Sequence, residues 1–123
     1  MDASDSSAAS TFGRLMASWH TYRRDGDQRF KLEAISAVED AVRAYERALV
    51  GLSHESPPQD ELRDAVRTVV LALNSIGGLD GRYGNFIETD DREILLPLLL
   101  QMASERGLDL APGEDPTASY RLW

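Results

Sequence analysis

The chain has 123 residues, no cysteine, and 21 acidic against 13 basic side chains, which gives a formal net charge of −8. This length suits a single domain with one hydrophobic core, and a hydrophobic content of 42% is too high for a wholly disordered protein. The absence of cysteine excludes a disulfide scaffold and thiolate zinc sites. The acidic balance argues against binding to a nucleic-acid backbone, which needs clustered Lys and Arg.

Residues 1–10 form a small, polar and acidic segment of low complexity. The segment predicts a flexible leader, and it lacks the basic and apolar regions of a secretory signal. The longest apolar run, residues 94–100, is interrupted by Pro97 and is shorter than the roughly 20 residues of a membrane span. We therefore expect a cytoplasmic protein that does not bind a membrane.

Residues 11–107 predict an all-α domain, a compact four-helix bundle in which short links join the first three helices. The first helix is expected to begin near Ser10 or Thr11, either of which suits an N-cap, and to end at residues 25–27. Its apolar side chains recur at spacings of three and four residues, namely Phe12, Leu15, Met16 and Trp19.

The second helix, residues 28–52, has the strongest pattern. Apolar side chains step along one face at alternating spacings of three and four residues: Ile35, Val38, Val42, Tyr45, Leu49 and Leu52. The opposite face is charged, so the pattern predicts a helix that is buried on one side against other helices.

The third helix has a capping-box pattern at its start, with Ser56 as N-cap, Pro57 at the first helical position and Gln59 at N3. The pair Gly77–Gly78 is expected to end it. The helical spacing and the caps outweigh the β-branched character of residues 66–73, which taken alone would favour a strand.

Residues 77–88 hold four glycines and form a connection longer than most helix–helix links. Loops of this length tend to be functional or mobile, and Arg82 and Tyr83 lie where a loop tip would contact an anion or a partner. A flexible connector is the simpler interpretation, because the glycines lack the preceding strand and the Lys-Ser/Thr pattern of known phosphate loops.

The fourth helix is predicted to begin at Thr89 or Asp90, with Asp90 as N-cap and Glu93 at N3 of a capping box. Pro97 cannot donate to a carbonyl of the preceding turn, so either a kink there or a first turn set off from the rest of the helix is expected. Gly107 is expected to end the helix as a left-handed C-cap.

The irregular tail, residues 108–123, ends with three large apolar side chains: Tyr120, Leu122 and Trp123. Such a cluster predicts that the tail docks, either on the bundle or on another chain. Trp19 and Tyr22 lie near the other end of the sequence. Packing of the tail over the first helix is favoured over an exposed aromatic patch, which is unusual in monomers.

Four carboxylates stand close together around the start of the fourth helix: Glu88, Asp90, Asp91 and Glu93. Oxygen ligands in such number could hold a divalent cation, but carboxylates at a helix N-terminus also cap free N–H groups and stabilise the helix dipole. Capping is the favoured interpretation. The sequence predicts no metal site and no cofactor, because its two histidines do not follow a ligand pattern such as H-E-x-x-H.

Two stretches, residues 72–74 (Ala-Leu-Asn) and the run from Phe86 to Glu93, together resemble a pattern in small helical bacterial proteins of uncharacterised function. The resemblance covers the third and fourth helices and the loop between them. It implies that residues 73–93 form one structural unit. It implies no activity, so no catalytic or binding residue is transferred from it.

No catalytic constellation can be assembled from these residues, and the leading hypothesis is a non-catalytic, acidic protein-binding module. Such a protein suits an immunity-type or regulatory inhibitor of a basic partner protein, since opposite charge accelerates encounter. The expected partner-binding residues are Arg82, Tyr83, Glu88, Asp90, Asp91 and Glu93. Two alternatives stay open, a carboxylate-based metal- or ligand-dependent enzyme and a structural homo-oligomer.

The negative charge is concentrated beyond residue 31. Residues 1–31 hold four acids and five bases, and the remaining residues hold 17 acids and eight bases. Residues 80–93 alone hold five acids against two arginines. This segment is therefore where a basic partner is expected to dock.

Overall fold

The computed structural model describes residues 3–52 and 58–123, and within them the side chains from residue 8 onward. Four helices follow in chain order: α1 (Ala3–Arg24), α2 (Leu32–Gly51), α3 (Gln59–Gly77) and α4 (Thr89–Glu105). α2 packs mainly against α3, and α1 packs mainly against α4. The predicted all-α four-helix bundle is confirmed, and the described residues contain no strand.

α1 begins earlier than the sequence predicts. The described chain is helical from Ala3 onward, so the predicted helix start at residues 10–11 is wrong. Alanine has the highest helix propensity, and Ala8 is buried on the bundle, which ties this early part of the helix to the core. The helix ends as expected at Arg23 and Arg24, whose charges complement the carbonyl end of the helix dipole.

α2 begins at Leu32, later than the predicted residue 28, because the chain first turns to bury Phe30. In this turn Gly26 has a φ of 98°, and the backbone N–H of Arg29 donates to Oδ1 of Asp27 at 3.0 Å. The predicted apolar stripe of α2 is buried as expected at Ile35, Val38, Val42, Tyr45 and Leu49.

α3 begins at Gln59, with Pro58 as its N-cap. The predicted N-cap and first helical residue, Ser56 and Pro57, lie outside the described residues. Both polar atoms of the Gln59 side chain bind the segment after α4. Its Nε2 donates to the carbonyl of Gly107 at 2.8 Å, and its Oε1 accepts from the N–H of Asp109 at 2.8 Å. Gln59 therefore ties the start of α3 to the segment after α4.

The capping box at the start of α4 involves different residues from those predicted. Glu88 is the N-cap and Asp91 occupies N3, so the predicted pair of Asp90 and Glu93 is wrong by two positions. Oδ2 of Asp91 accepts from the backbone N–H of Glu88 at 3.1 Å. Acids stand three residues apart in both pairs, so sequence spacing alone allows either placement.

α4 is assigned as one helix from Thr89 to Glu105, with Pro97 inside it. It is followed by a left-handed glycine, as predicted. Gly107 has a φ of 107°, and its N–H donates to the carbonyl of Ser104 at 3.0 Å. The N–H of Leu108 donates to the carbonyl of Ala103, also at 3.0 Å. These two bonds form a Schellman motif, which favours glycine because its central residue has a positive φ.

The glycine-rich connection folds back on the end of α3. The N–H of Tyr83 donates to the carbonyl of Ile76, and the N–H of Ile87 donates to that of Gly77, both at 3.1 Å. Phe86 is buried against Gly77, where an added Cβ would lie 2.5 Å from the phenyl ring. The connection is thus packed against the bundle, which corrects its interpretation as a free connector.

The tail lies against α3 and the glycine-rich connection. Nδ2 of Asn74 donates to the carbonyl of Tyr120, and Oδ1 of Asn74 accepts from the N–H of Leu122, both at 2.8 Å. The indole of Trp123 is buried, with 7% of the residue exposed. One amide side chain of α3 therefore binds the backbone of the tail at two positions, Tyr120 and Leu122.

Trp19 of α1 packs with aromatic side chains from elsewhere in the chain. Its ring centroid lies 5.4 Å from that of Phe30 and 5.5 Å from that of Phe86, and all three rings are buried. The predicted packing of the tail over the first helix is therefore wrong: the turn before α2 and the glycine-rich connection supply the partners of Trp19, and α3 receives the tail.

Candidate functional site

The structure separates the six sequence-predicted site residues into two groups. Arg82 and Tyr83 lie together in the glycine-rich connection, where Cζ of Arg82 is 5.1 Å from the centroid of the Tyr83 ring. The four acids lie around the first turn of α4, and three of them, Glu88, Asp90 and Asp91, line one cavity. Glu93 is exposed one turn along α4 and does not line this cavity.

Asp91 differs from the other acids because its side chain turns into the bundle. Only 8% of the residue is exposed. Its Oδ1 accepts from Nε1–H of Trp19 at 3.0 Å, and its Oδ2 accepts from the N–H of Glu88 at 3.1 Å. Both oxygens already have donors within the chain, so Asp91 positions the neighbouring acids and is not itself offered to a partner.

The cavity at this end of the bundle, called the acidic pocket here, has a volume of about 150 Å³. Its lining consists of Tyr22, Asp27, Arg29, Glu88, Asp90 and Asp91. Four carboxylates therefore face one guanidinium, and the ring of Tyr22 is half-exposed at 46%. A small cavity with this charge balance and an exposed aromatic ring can accept a cationic side chain.

Arg29 shows how the acidic pocket holds a cation. Its Nη1 binds Oε2 of Glu88, and its Nη2 lies 3.8 Å from Oδ2 of Asp27. Its Cζ lies 4.3 Å from the centroid of the Phe30 ring. One guanidinium is thus placed between two carboxylates and over an aromatic face, which is the environment that stabilises such a group in proteins.

Tyr22, Asp27 and Arg29 line the acidic pocket, but the sequence does not predict them at this site. It places Tyr22 among the aromatic residues near the chain ends and Asp27 in the signal that ends the first helix. The residues stand about 60 positions before Glu88, and no local spacing connects them to it. The packing of α1 against α4 brings them together. The one available signal was their composition, an aromatic and two charged residues around a glycine turn.

A second cavity, called the tail depression here, adjoins the acidic pocket because Glu88 and Asp90 line both. Its volume is about 640 Å³. Leu79 and Leu122 line it and are 56% and 48% exposed. The N–H of Leu79 donates to the carbonyl of Leu122 at 2.8 Å, so the two side chains belong to adjacent pieces of backbone.

Two arginines line the tail depression but not the acidic pocket. Arg121 is held by Asp115, whose Oδ2 accepts from Nη2 at 3.0 Å, and by Thr117, whose Oγ1 accepts from Nε at 3.1 Å. Arg92 is half-buried on the first turns of α4. The tail depression therefore combines these two arginines with the carboxylates of Glu88 and Asp90, which it shares with the acidic pocket.

A further cavity, of about 300 Å³, lies between α1, α2 and α4. Phe12 and Met102 contribute to its apolar lining. Glu39 at its rim is already engaged, at 3.3 Å from Nε2 of His20 and 3.6 Å from Nη2 of Arg43. The cavity contains none of the predicted site residues and is separate from the acidic pocket.

The described residues contain no group of three or more His, Cys, Asp or Glu arranged to hold a metal ion. In the same part of the chain, no helix is both long enough and apolar enough to cross a membrane.

Comparison of the chain with protein-family models, with curated proteins and with solved structures gives no match. The resemblance of residues 72–93 to small helical bacterial proteins therefore stays a prediction.

Proposed function

We propose that the protein is a non-catalytic binding module for a basic partner protein, and that the acidic pocket receives an arginine or lysine side chain of that partner. The observation that carries the proposal is the lining of the pocket, in which four carboxylates and a half-exposed tyrosine surround a single guanidinium. An immunity-type or regulatory inhibitor, acting in the cytoplasm by covering a basic surface, is the form of module that this chemistry suits best.

Electrostatics supports this proposal at long and at short range. The net charge of −8 attracts a basic protein before contact and raises the rate of encounter. Within the pocket, a guanidinium or ammonium can pair with Asp90 and stack on Tyr22, and partial shielding from water strengthens both contacts. The ion pair between Arg29 and Glu88 is an intramolecular example of the same interaction.

The proposed contact residues differ from those of the sequence-based hypothesis. Asp90 and Glu88 stay, and Tyr22 and Asp27 are added because they line the same cavity. Glu88 and Asp27 already pair with Arg29 at the surface of the pocket, so a partner's cation would share these two carboxylates with that guanidinium. Asp91 becomes a positioning residue, since both of its oxygens are already engaged. Arg82, Tyr83 and Glu93 lie outside the pocket lining, and their contribution to binding stays a prediction.

Affinity capture with three immobilised forms of the full chain tests the proposal. The forms are the wild type, the double variant Asp27→Asn/Asp90→Asn, and the charge-matched control Asp40→Asn/Glu61→Gln, whose substitutions are exposed on α2 and α3. We expect the wild type and the control to retain the same basic protein, and the pocket variant to lose it. Raised salt should release it from both, because exposed charges are screened.

Equal recovery of that partner on the pocket variant and on the control would contradict the proposal. Equal loss on both would show that only total charge matters, and it would contradict the pocket as the binding site. Circular dichroism of each form checks that the substitutions leave the helical fold intact.

A further inference from the structure

We propose that the cavity between α1, α2 and α4, called the interhelical cavity here, binds a small organic cation, a protonated amine carried on an apolar chain or ring. No residue of this cavity lines the acidic pocket, so the site is separate from the one proposed for a basic partner protein. Its volume of about 300 Å³ lies at the lower end of the range of small-molecule sites.

The inner wall of the interhelical cavity is apolar and adaptable. Side chains from all three helices form it: Ala8, Phe12 and Met16 of α1, Val42 and Leu49 of α2, and Met102 of α4. Methionine fits apolar groups of different shapes, because its unbranched side chain has three rotatable bonds. An alkyl or aryl group that packs on this wall is removed from water, and this transfer favours binding.

Small residues of α1 leave the interhelical cavity open. Ala9 and Gly13 line it one turn apart, and both are exposed. A Cβ added at Gly13 meets nothing within 4 Å. A larger side chain at this position would therefore occupy space that a ligand needs.

The charged residues of the lining favour a cation over an anion. They are three carboxylates and two guanidiniums, namely Glu39, Glu46, Glu105, Arg43 and Arg106. Glu39 and Arg43 compensate each other, because Nη2 of Arg43 lies 3.6 Å from Oε2 of Glu39. Glu46 and Glu105 then stand against Arg106, which leaves an excess of one negative charge.

The carbonyl ends of two helices add to this preference. Leu49 belongs to the last turn of α2, and Glu105 is the last residue of α4. The carbonyl end of a helix carries partial negative charge, so a cation is stabilised there and an anion is repelled. Oε1 of Glu105 accepts from Nε2 of Gln101 at 3.1 Å, and this neutral amide does not compensate the charge of the carboxylate. An ammonium group at the opening would do so.

Titration of small molecules into the ¹⁵N-labelled full chain at neutral pH tests the proposal. The probes are hexylamine, hexanol, hexanoate and methylamine, and the last of these has the charge of hexylamine without its apolar chain. Backbone amide shifts give the dissociation constants and locate the site. We expect hexylamine to bind about three- to fivefold more tightly than hexanol, the advantage of a partly exposed ion pair. Hexanoate and methylamine should bind more weakly than hexanol.

A pair of glycine variants connects binding to the interhelical cavity. Gly13→Leu should fill the cavity and abolish the binding of both hexylamine and hexanol. The matched control is Gly51→Leu, at another helical glycine where an added Cβ meets nothing within 4 Å and which does not line the cavity. It should bind both probes as the wild type does. Circular dichroism checks that both variants fold, which is expected because leucine favours a helix more than glycine does.

A pair of charge variants tests the preference for a cation. Glu46→Gln/Glu105→Gln should remove the advantage of hexylamine over hexanol and leave the affinity for hexanol unchanged. The control Asp27→Asn/Asp90→Asn removes the same number of carboxylates from the acidic pocket. It should keep the full advantage.

Several outcomes would overturn the proposal. They are the absence of saturable amide shifts around the interhelical cavity, binding that survives Gly13→Leu, and equal affinity of the wild type for hexylamine and hexanol. Loss of hexylamine binding in Asp27→Asn/Asp90→Asn but not in Glu46→Gln/Glu105→Gln would assign the amine to the acidic pocket, and would also overturn it. None of these results depends on capture of a basic protein, so this proposal and the proposed function can fail separately.

Discussion

The indole N–H of Trp19 donates to Oδ1 of Asp91 at 3.0 Å, in a buried hydrogen bond between residues 72 positions apart. The second oxygen of the same carboxylate accepts from the N–H of Glu88 and caps α4. One side chain therefore joins α1 to α4 and closes the first turn of α4. This bond places Asp90 and Glu88 beside Tyr22 and Asp27, and the acidic pocket depends on it.

Removal of this carboxylate should destabilise the fold. We expect Asp91→Ala to lower the free energy of unfolding by about 2–3 kcal/mol, because two donors lose their acceptor, one of them a buried indole N–H. Asp90→Ala, one residue earlier but exposed, should change it by about 0.5 kcal/mol or less. Urea denaturation of both variants measures the difference. Similar losses for the two variants would contradict the structural role of Asp91.

Two glycines should respond in opposite ways to the same substitution. An added Cβ at Gly13, inside α1, meets nothing within 4 Å, whereas at Gly77 it would lie 2.5 Å from the ring of Phe86. Gly13→Ala should therefore stabilise the protein by about 0.5–1 kcal/mol, since alanine loses less backbone entropy in a helix.

Gly77→Ala should destabilise the protein by about 1–3 kcal/mol, because Phe86 must move out of a packed core. Thermal unfolding followed by circular dichroism measures both glycine variants. A Gly77→Ala protein as stable as the wild type would show that the connection does not pack against α3 in the way described.

Tyr45 should make the protein sensitive to alkaline pH. Its hydroxyl donates to the carbonyl of Leu99 at 2.6 Å, and burial raises the pKa of Tyr45 well above its usual range. The folded state then keeps a proton that the unfolded chain releases above about pH 10. The contribution of the protonated Tyr45 hydroxyl to the free energy of unfolding is complete below about pH 10. As the pH rises further, the free energy of unfolding falls by up to about 1.4 kcal/mol per pH unit.

Tyr45→Phe separates the two effects of this hydroxyl. At neutral pH the variant should be about 1 kcal/mol less stable, since one buried hydrogen bond is lost. Above about pH 10 its stability should fall less steeply with pH than that of the wild type. Urea denaturation at a series of pH values gives both numbers, and identical slopes for the two proteins would contradict the burial of the phenol.

The tail should be sensitive to acid through Glu114. Nη1 of Arg63 on α3 donates to Oε2 of Glu114 at 2.8 Å, and this bond, with a second from the N–H of Ala111 at 2.9 Å, lowers the pKa of Glu114. Because the pKa of Glu114 is lowered in the folded state, the contact stabilises the docked tail at pH values above the ordinary pKa of glutamate. The contribution is lost as the pH falls through the lowered value.

Arg63→Met should raise the pKa of Glu114 toward its ordinary range. A ¹³C NMR titration of the Glu114 carboxyl group measures the change directly. Arg43→Met is the control, because Arg43 pairs with Glu39 on α2 and should leave the titration of Glu114 as in the wild type. A Glu114 pKa that is the same in Arg63→Met and in the control would contradict the contact between α3 and the tail.

Local sequence patterns predicted the helices well where a long apolar stripe was present. The stripe of α2 and the left-handed Gly107 follow from the 3.6-residue period and from the conformational freedom of glycine, both of which are local properties. The start of α1 and the capping box of α4 were misplaced, because several neighbouring residues could serve as caps and only packing selects among them. Asp91 was selected over Glu93 by its bond to Trp19.

The sequence by itself determined that the protein is an all-α, acidic, cysteine-free domain with its negative charge concentrated beyond residue 31. Composition depends only on the residues present, and hydrophobic periodicity depends only on residues that are near each other in the sequence. Neither requires knowledge of the tertiary structure. The acidic pocket was decided only by the tertiary structure, because Tyr22 and Asp27 meet Glu88 and Asp90 through the packing of α1 against α4. Side chains about 60 positions apart acquire a common function only when burial of their helices brings them together.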